Sequence, residues 1–295
     1  MYLCTQNTTP MEHNEVITER HIDIQSILAT KGVRLPSFAV KWINRLMHVD
    51  ELNYGIYARR DQFGVDFVHG FLEGNEKHDL NIKLEIIGSE NIPLDGYPIV
   101  AGNHPLGGPD GLALMAAVGH YRTDIKFPVT DFLMYLPALR PLFVPIDKVH
   151  RHGTNADTLE AAFGGKNILL YFPAGICSRK HNGIIRDLDW KSTFIKKAIK
   201  YQRDIIPVYT DAQNRNRFYR IANLRKRIGI KFGFEMALLP AEMFAQRGKT
   251  IRIVFGKAIP YTTFDKSHTT YEWAQLVKKH VYQLGKEPDA TFLGQ

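Results

Sequence analysis

Between residues 81 and 256 the chain repeats one pattern: a strand-length apolar run, a turn, then a helix-length segment. YPIVAGN (97–103), IKFPV (125–129), PLFVPI (141–146), NILLYFP (167–173) and DIIPVYT (204–210) are all short and apolar. Runs of this length are strands buried on both faces, because a helix needs more residues to cover a core. NIKLEIIG (81–88) alternates apolar and polar residues and reads as a half-buried strand. GIKFGFEMALL (229–239) and TIRIVFG (250–256) are two further strand candidates. Helical segments fall between them at 110–121, 131–139, 154–163 and 190–202, and a closing helix covers 269–284. Strands alternating with helices specify an α/β layered fold with a mixed, mostly parallel central sheet flanked by helices. Upstream, 36–48 and 52–73 read as helices and form an N-terminal helical cap. The expected organisation is an N-terminal helical region over 1–78, a main domain over 79–285 and a tail over 286–295. The first twenty or so residues are polar and carry no periodic pattern.

Composition narrows the partners without choosing among them. The net charge of +8 in 295 residues suits an anionic partner: nucleic acid, anionic lipid or a phosphorylated group. The segment 213–231 concentrates this charge, with seven lysines and arginines, no acid, and Phe218, Tyr219, Ile221 and Leu224 among them. A basic amphipathic segment fits an anionic membrane surface or an acidic carrier protein. A solvated face is the plainer reading, and no RNA-binding motif accompanies it, so nucleic acid is not expected as a partner. Two cysteines, Cys4 and Cys177, keep no metal or redox spacing, which favours a reducing, cytosolic setting. No apolar stretch reaches the roughly 18 residues a membrane-spanning helix needs. If the chain works on membranes, it does so as a peripheral protein at the cytoplasmic face of the cell membrane.

Four segments can carry chemistry. In NHPLGGPD (103–110) a strand ends, a Gly/Pro turn follows, and a helix starts on Asp110. Such a turn can bring His104 against Asp110. A carboxylate on one imidazole nitrogen fixes the tautomer and leaves the other nitrogen free to take a proton. The N–H groups of Gly107 and Gly108 can line an anionic pocket. The plain alternative is a histidine that only caps the turn. In FPAGICSRK (172–180) Arg179 can hold a carboxylate or phosphate, and Cys177 near it opens a Cys-dependent acyl hydrolase as an alternative. FVPIDK (143–148) places Lys148 just past a strand; His150, Arg151 and His152 follow without metal-site spacing. IIPV (205–208) signals core.

These segments, in this order, carry a resemblance. NHPLGGPDG, FPAGICSR, IIPV and RDLDWKSTFIKKA (186–198) resemble blocks of the glycerolipid (lysophospholipid/glycerol-3-phosphate) acyltransferase superfamily over about residues 80–260. The match is closest to the bacterial hemolysin-like branch, with its ornithine and glycine lipid O-acyltransferases. The turn from His104 to Asp110 is one residue longer than the superfamily's usual spacing, as that branch tolerates. Ala174 stands where many members have Glu, which predicts a more positive local charge beside Arg179. The resemblance implies transfer of a fatty acyl group from an acyl carrier protein or coenzyme A thioester to the hydroxyl of a lysolipid. The acceptor would be a lyso-aminolipid, such as a lyso-glycine or lyso-ornithine lipid, or lysophosphatidic acid. It implies His104 and Asp110 as catalytic residues, and Asn103, Gly107, Gly108, Lys148, Gly175, Ser178 and Arg179 as substrate-binding residues. No metal and no bound cofactor are expected. A non-catalytic membrane-binding protein is the remaining alternative.

Overall fold

The computed structural model describes residues 21–30, 32–146, 154–230 and 233–294. Residues 1–20 and Cys4, and the segment with Lys148 and His150–His152, lie outside them. The elements in chain order are α1 (Ile24–Thr30), α2 (Ser37–Leu46), α3 (Val49–Ala58), α4 (Gly64–Glu73), β1 (Lys83–Ile87), β2 (Ile99–Gly102), α5 (Pro109–Gly119), β3 (Ile125–Thr130), β4 (Phe143–Ile146), α6 (Thr154–Gly164), β5 (Ile168–Tyr171), β6 (Arg179–His181), β7 (Ile184–Arg186), α7 (Thr193–Tyr201), β8 (Ile205–Asp211), α8 (Asn216–Arg227), α9 (Leu239–Phe244), β9 (Thr250–Phe255) and α10 (Thr270–Leu284).

A seven-stranded sheet runs in the order β1-β9-β8-β2-β5-β3-β4. All neighbours are parallel except β8 and β9, so the sheet is mixed and mostly parallel. Its inner strands are buried on both faces because successive side chains point opposite ways. Val100, Ile168, Leu170, Ile206 and Val208 enter one core with α4 and α5. Ile99, Ala101, Leu169 and Ile205 enter the other with Phe194 and Ile195 of α7 and Trp273 and Val277 of α10. α5 is apolar all round, and every residue from Pro109 to Val118 is buried, as such a helix must be. α10 starts where Thr269 and Glu272 form a reciprocal cap. The N-terminal helices are not a separate core: Ile24, Val49, Ile56, Phe67 and Phe71 pack into the same cluster as β2 and β8.

Three expectations need correction. The helical stretch 52–73 is split into α3 and α4, because Gly64 takes φ +58° at the start of α4. The helix expected over 131–139 is a pair of 3-10 turns, Asp131–Tyr135 and Pro137–Leu139, since Pro137 cannot continue the first. The strand expected over 229–239 is absent among the described residues. Phe234–Leu238 is a 3-10 turn leading into α9, where Pro240 sits in the first helical turn. Its alternating pattern serves a different end: Glu235 is buried to meet two arginines.

Among the described residues no helix is long and apolar enough to cross a membrane.

Candidate active site

The chain leaves β2 in one direction to build β3, β4 and β5, then returns past it to β8. The carboxyl ends of β2, β5 and β8 therefore adjoin, where open α/β sheets bind ligands. The turns after these strands make the site.

Residues 103–108 turn away from the sheet. Asn103 anchors them: its side-chain amide donates to the Thr210 carbonyl at 2.9 Å, and its Oδ1 accepts the Thr210 N–H at 2.7 Å. This continues the β2–β8 ladder after the backbone has left it. Gly107 takes φ +88°, and a Cβ there would lie 2.9 Å from Leu239 and 3.2 Å from Cys177, so a side chain is excluded twice over.

The turn folds His104 back onto Asp110. His104 Nδ1 lies 2.9 Å from Asp110 Oδ2. The same oxygen accepts the N–H groups of Leu106 at 2.8 Å and Gly107 at 3.3 Å, and Oδ1 accepts that of Gly111 at 2.9 Å. Asp110 is completely buried. Burial pushes its pKa up, but His104 and the backbone donors outweigh it and hold the carboxyl below its ordinary value. Burial likewise pushes the His104 ring down, but Asp110, by charge and hydrogen bond, raises it above the ordinary imidazole value. The ring stacks on Phe172 at 4.2 Å. The His104 side chain keeps 16% exposure, and Nε2 has no hydrogen-bond partner among the described residues. The pair thus presents one basic nitrogen to the outside.

The 172–180 segment braces this turn from below. The Ser178 N–H donates to the His104 carbonyl at 2.7 Å. The Ser178 hydroxyl points inward and donates to Asp187 Oδ1 at 2.6 Å. Asp187 also accepts the His104 N–H at 3.2 Å and the Trp190 indole N–H at 2.9 Å, while its own N–H donates to the Tyr282 hydroxyl at 2.8 Å. One carboxylate, 5% exposed, so ties the His104 turn to the next turn, to α7's lead-in and to α10. Burial pushes its pKa up despite these donors. Sequence reasoning assigns Asp187, within RDLDW, no role. Its signal was an acid close before a tryptophan in a segment already tied to the blocks.

The remaining expected residues divide. Arg179 is turned largely into the protein: Nη1 donates to the carbonyls of Cys177 and Ser178 and to Cys177 Sγ, and Nη2 meets Glu235 at 3.2 Å. Glu235, 1% exposed, also holds Arg225 at 2.7 Å. The more positive charge expected beside Arg179 is offset: Glu235 meets its guanidinium from a distant segment, and the buried Asp187 holds the neighbouring Ser178. Gly107 and Gly175 have committed their N–H groups, to Asp110 and to the Phe172 carbonyl. The Gly108 N–H has no acceptor among the described residues. Lys148 lies outside them. Cys177 is fully buried, and burial pushes its thiol up to about 11 despite Arg179, so it is no ready nucleophile. Two cavities, of about 370 and 420 Å³, are lined by neither His104 nor Asp110.

Asp187→Asn tests the brace. An amide nitrogen cannot accept, so at least one of the Ser178, Trp190 and His104 donors loses its acceptor, at a cost of about 1–3 kcal/mol. The melting temperature should fall by several degrees. With the His104 backbone loosened, kcat should drop by about 10²-fold, as small displacements of a catalytic group do. An unchanged kcat would show that Asp187 does not position His104.

A family model described as Acyltransferase matches residues 26–291. The chain is 43% identical over 269 residues to the lyso-glycine lipid O-acyltransferase of Bacteroides thetaiotaomicron, spanning 89% of this chain and 97% of the relative. It is 41% identical to the protein of that name from Phocaeicola vulgatus, spanning 89% and 95%. Among solved structures, it is similar to the 1-acyl-sn-glycerophosphate (LPA) acyltransferase PlsC of Thermotoga maritima, at 16% identity and a TM-score of 0.46 over 88% of this chain and 92% of that one. The match over 26–291 and the two bacterial relatives make the assignment plain: the chain belongs to the acyltransferase family.

Proposed function

We propose that the chain transfers a fatty acyl group from a thioester of acyl carrier protein or coenzyme A to the hydroxyl of a lyso-glycine lipid. The observation that carries this reading is the 2.9 Å contact of His104 with Asp110, with Nε2 left open, in a chain so similar to enzymes named for that acceptor.

His104 Nε2 takes the proton of the acceptor hydroxyl, and Asp110 keeps Nδ1 protonated so that Nε2 is the basic nitrogen. The hydroxyl oxygen bonds to the thioester carbonyl carbon, and the carbonyl electron pair moves onto oxygen. The unpartnered Gly108 N–H, at the start of α5, supports that oxyanion; such a donor is worth roughly 10²–10³ in rate. The oxyanion collapses and the C–S bond breaks. The departing thiolate takes the proton from His104, giving the diacylated lipid and a free thiol. No acyl-enzyme is required. Arg179 contributes positive potential for the acceptor's carboxylate more than a free fork, because Glu235 and three carbonyl or sulfur acceptors engage it. We assign Lys148 to the same head group. Asn103, Gly107, Gly175 and Ser178 shape the turns that hold the substrate.

The enzyme works at the cytoplasmic face of an anionic membrane, without spanning it. On α8, Arg217, Arg220, Lys226 and Arg227 are exposed, together with Leu224 and Ile228. On α2, Phe38 and Trp42 are exposed at 74% and 64%. Leu46 of α2 packs with Cys177, Phe218 and Tyr219, so both helices adjoin the site. Aromatics beside cations suit the boundary between head groups and acyl chains.

The test is transfer by the purified protein in lipid vesicles. Lyso-glycine lipid should be diacylated with a kcat/KM roughly tenfold or more above that for lysophosphatidic acid. No product from lyso-glycine lipid with either thioester donor would reject this acceptor.

A further inference from the structure

A second cluster of ligating side chains lies at the other end of α5 from Asp110, about 16 Å along the helix axis. His69 and Glu73 are four residues apart on α4 and so share one face. His120 follows the last residue of α5. The two helices approach closely at Gly119, where a Cβ would lie 2.6 Å from Val65 and 3.1 Å from His69 Nε2. The result is compact. His69 Nδ1 is 2.5 Å from Glu73 Oε2, and His120 Nε2 is 3.4 Å from Glu73 Oε1. The imidazole rings lie 4.4 Å apart, and one ligand atom from each residue falls within 4.8 Å of the others. Among the described residues no lysine or arginine pairs with Glu73.

We propose that His69, Glu73 and His120 bind a divalent cation of the Zn²⁺ class. Two imidazoles and a carboxylate suit that ion, whereas Mg²⁺ and Ca²⁺ take oxygen ligands. Tetrahedral bonds of about 2.0–2.2 Å set ligand atoms roughly 3.3 Å apart. The His69–Glu73 pair at 2.5 Å is tighter than that, the His120–Glu73 pair at 3.4 Å matches it, and all the ligand atoms lie within 4.8 Å of one another, so side-chain rotation can close the set. His69 and Glu73 are half-buried and His120 is exposed, which leaves an open side for entry and for a water as fourth ligand. The three residues belong to two segments that only packing joins. A bound ion therefore clips the N-terminal helices to the helix whose first turn carries Asp110. It takes no part in the acyl transfer.

The test uses the full chain, stripped with a chelator and then titrated with Zn²⁺. About one ion per chain should bind, the melting temperature should rise by several degrees, and added chelator should reverse the rise. Co²⁺ in place of Zn²⁺ should give the visible absorption of a four-coordinate ion. His120→Ala, a change at an exposed position, and Glu73→Gln should abolish the shift, the bound ion and the Co²⁺ bands. The acyltransferase activity of the metal-free variants should match that of the metal-free wild type. No stoichiometric binding, or an equal shift in His120→Ala, would overturn the assignment. Direct titration against a coloured chelator reads binding even where a variant's melting point has moved.

Discussion

His104→Ala should lower kcat for acyl transfer by roughly 10²–10⁴, the usual worth of a positioned general base. The KM values for both substrates should stay within a few-fold, because the lost ring acts on a proton and makes no stated contact that holds lipid. The variant should fold. The His104 backbone keeps its bonds to Asp187 and Ser178, which do not depend on the ring. Its cost lies elsewhere: Asp110 stays buried and loses its imidazole partner, while keeping the N–H groups of Leu106, Gly107 and Gly111. A lower melting temperature with a normal far-ultraviolet spectrum is expected. Steady-state kinetics and a thermal melt read both effects. If His104→Ala retained full transfer to its best acceptor, the proposed base would be wrong. The wild type carries a matching signature. A general base works only when deprotonated, and the His104 pKa lies above the ordinary imidazole value. The acidic limb of kcat/KM should therefore be centred above about 6.5, the ordinary histidine value.

What the sequence made legible followed from local physics. Strands such as Ile99–Gly102 and Ile168–Tyr171 are short, apolar and bounded by turn residues, so their burial on both faces could be read directly. His104 and Asp110 lie six residues apart on one strand–turn–helix unit, so their meeting was a local inference too. What escaped was long-range. Glu235 reads as part of an alternating strand until Arg179 and Arg225, 56 and 10 residues away, are seen beside it. Asp187 lies 83 residues from His104, and only the sheet order brings them together. The hairpin of β6 and β7 is absent from the sequence expectations although its turn, Asn182-Gly183, is a clear local signal; both residues take positive φ, as that two-residue turn requires. Residues 213–231 read as a basic amphipathic segment. In the fold, Arg225 is bonded to the buried Glu235 and turned largely inward, while Arg215 stays exposed but is paired with the buried Glu242, so part of that charge is met by carboxylates.

Asp110→Asn should reduce kcat by about 10³–10⁴, because in a histidine–carboxylate pair the amide supports the wrong tautomer. The two orientations of the new amide lose different things. If the new amide nitrogen faces His104, it donates to Nδ1 and leaves the proton on Nε2, where the base is needed. The N–H groups of Leu106 and Gly107 then also meet a donor in place of Asp110 Oδ2. If the amide flips, Nδ1 regains an acceptor but the Gly111 N–H meets the nitrogen. The first orientation strands buried donors; in the second the Gly111 N–H keeps the Gly108 carbonyl at 3.0 Å, and in both the carboxylate charge that stabilises the imidazolium is gone. Without the carboxylate the His104 pKa should fall, so the acidic limb of the residual activity should move to lower pH than in wild type. Stability follows the same charges. The raised His104 pKa stabilises the fold below the ordinary imidazole value, and this is lost as pH rises through the raised one. The lowered Asp110 pKa stabilises it above the ordinary carboxylate value, and this is lost as pH falls through the lowered one. Both contributions are present together only between the two ordinary values, at roughly pH 4 to 6.5. The melting-temperature deficit of Asp110→Asn should therefore peak at mildly acidic pH. It should shrink above the His104 pKa, where the imidazole is neutral, and persist there in part through the stranded N–H. A deficit that does not vary with pH would show that the two groups do not titrate as a pair.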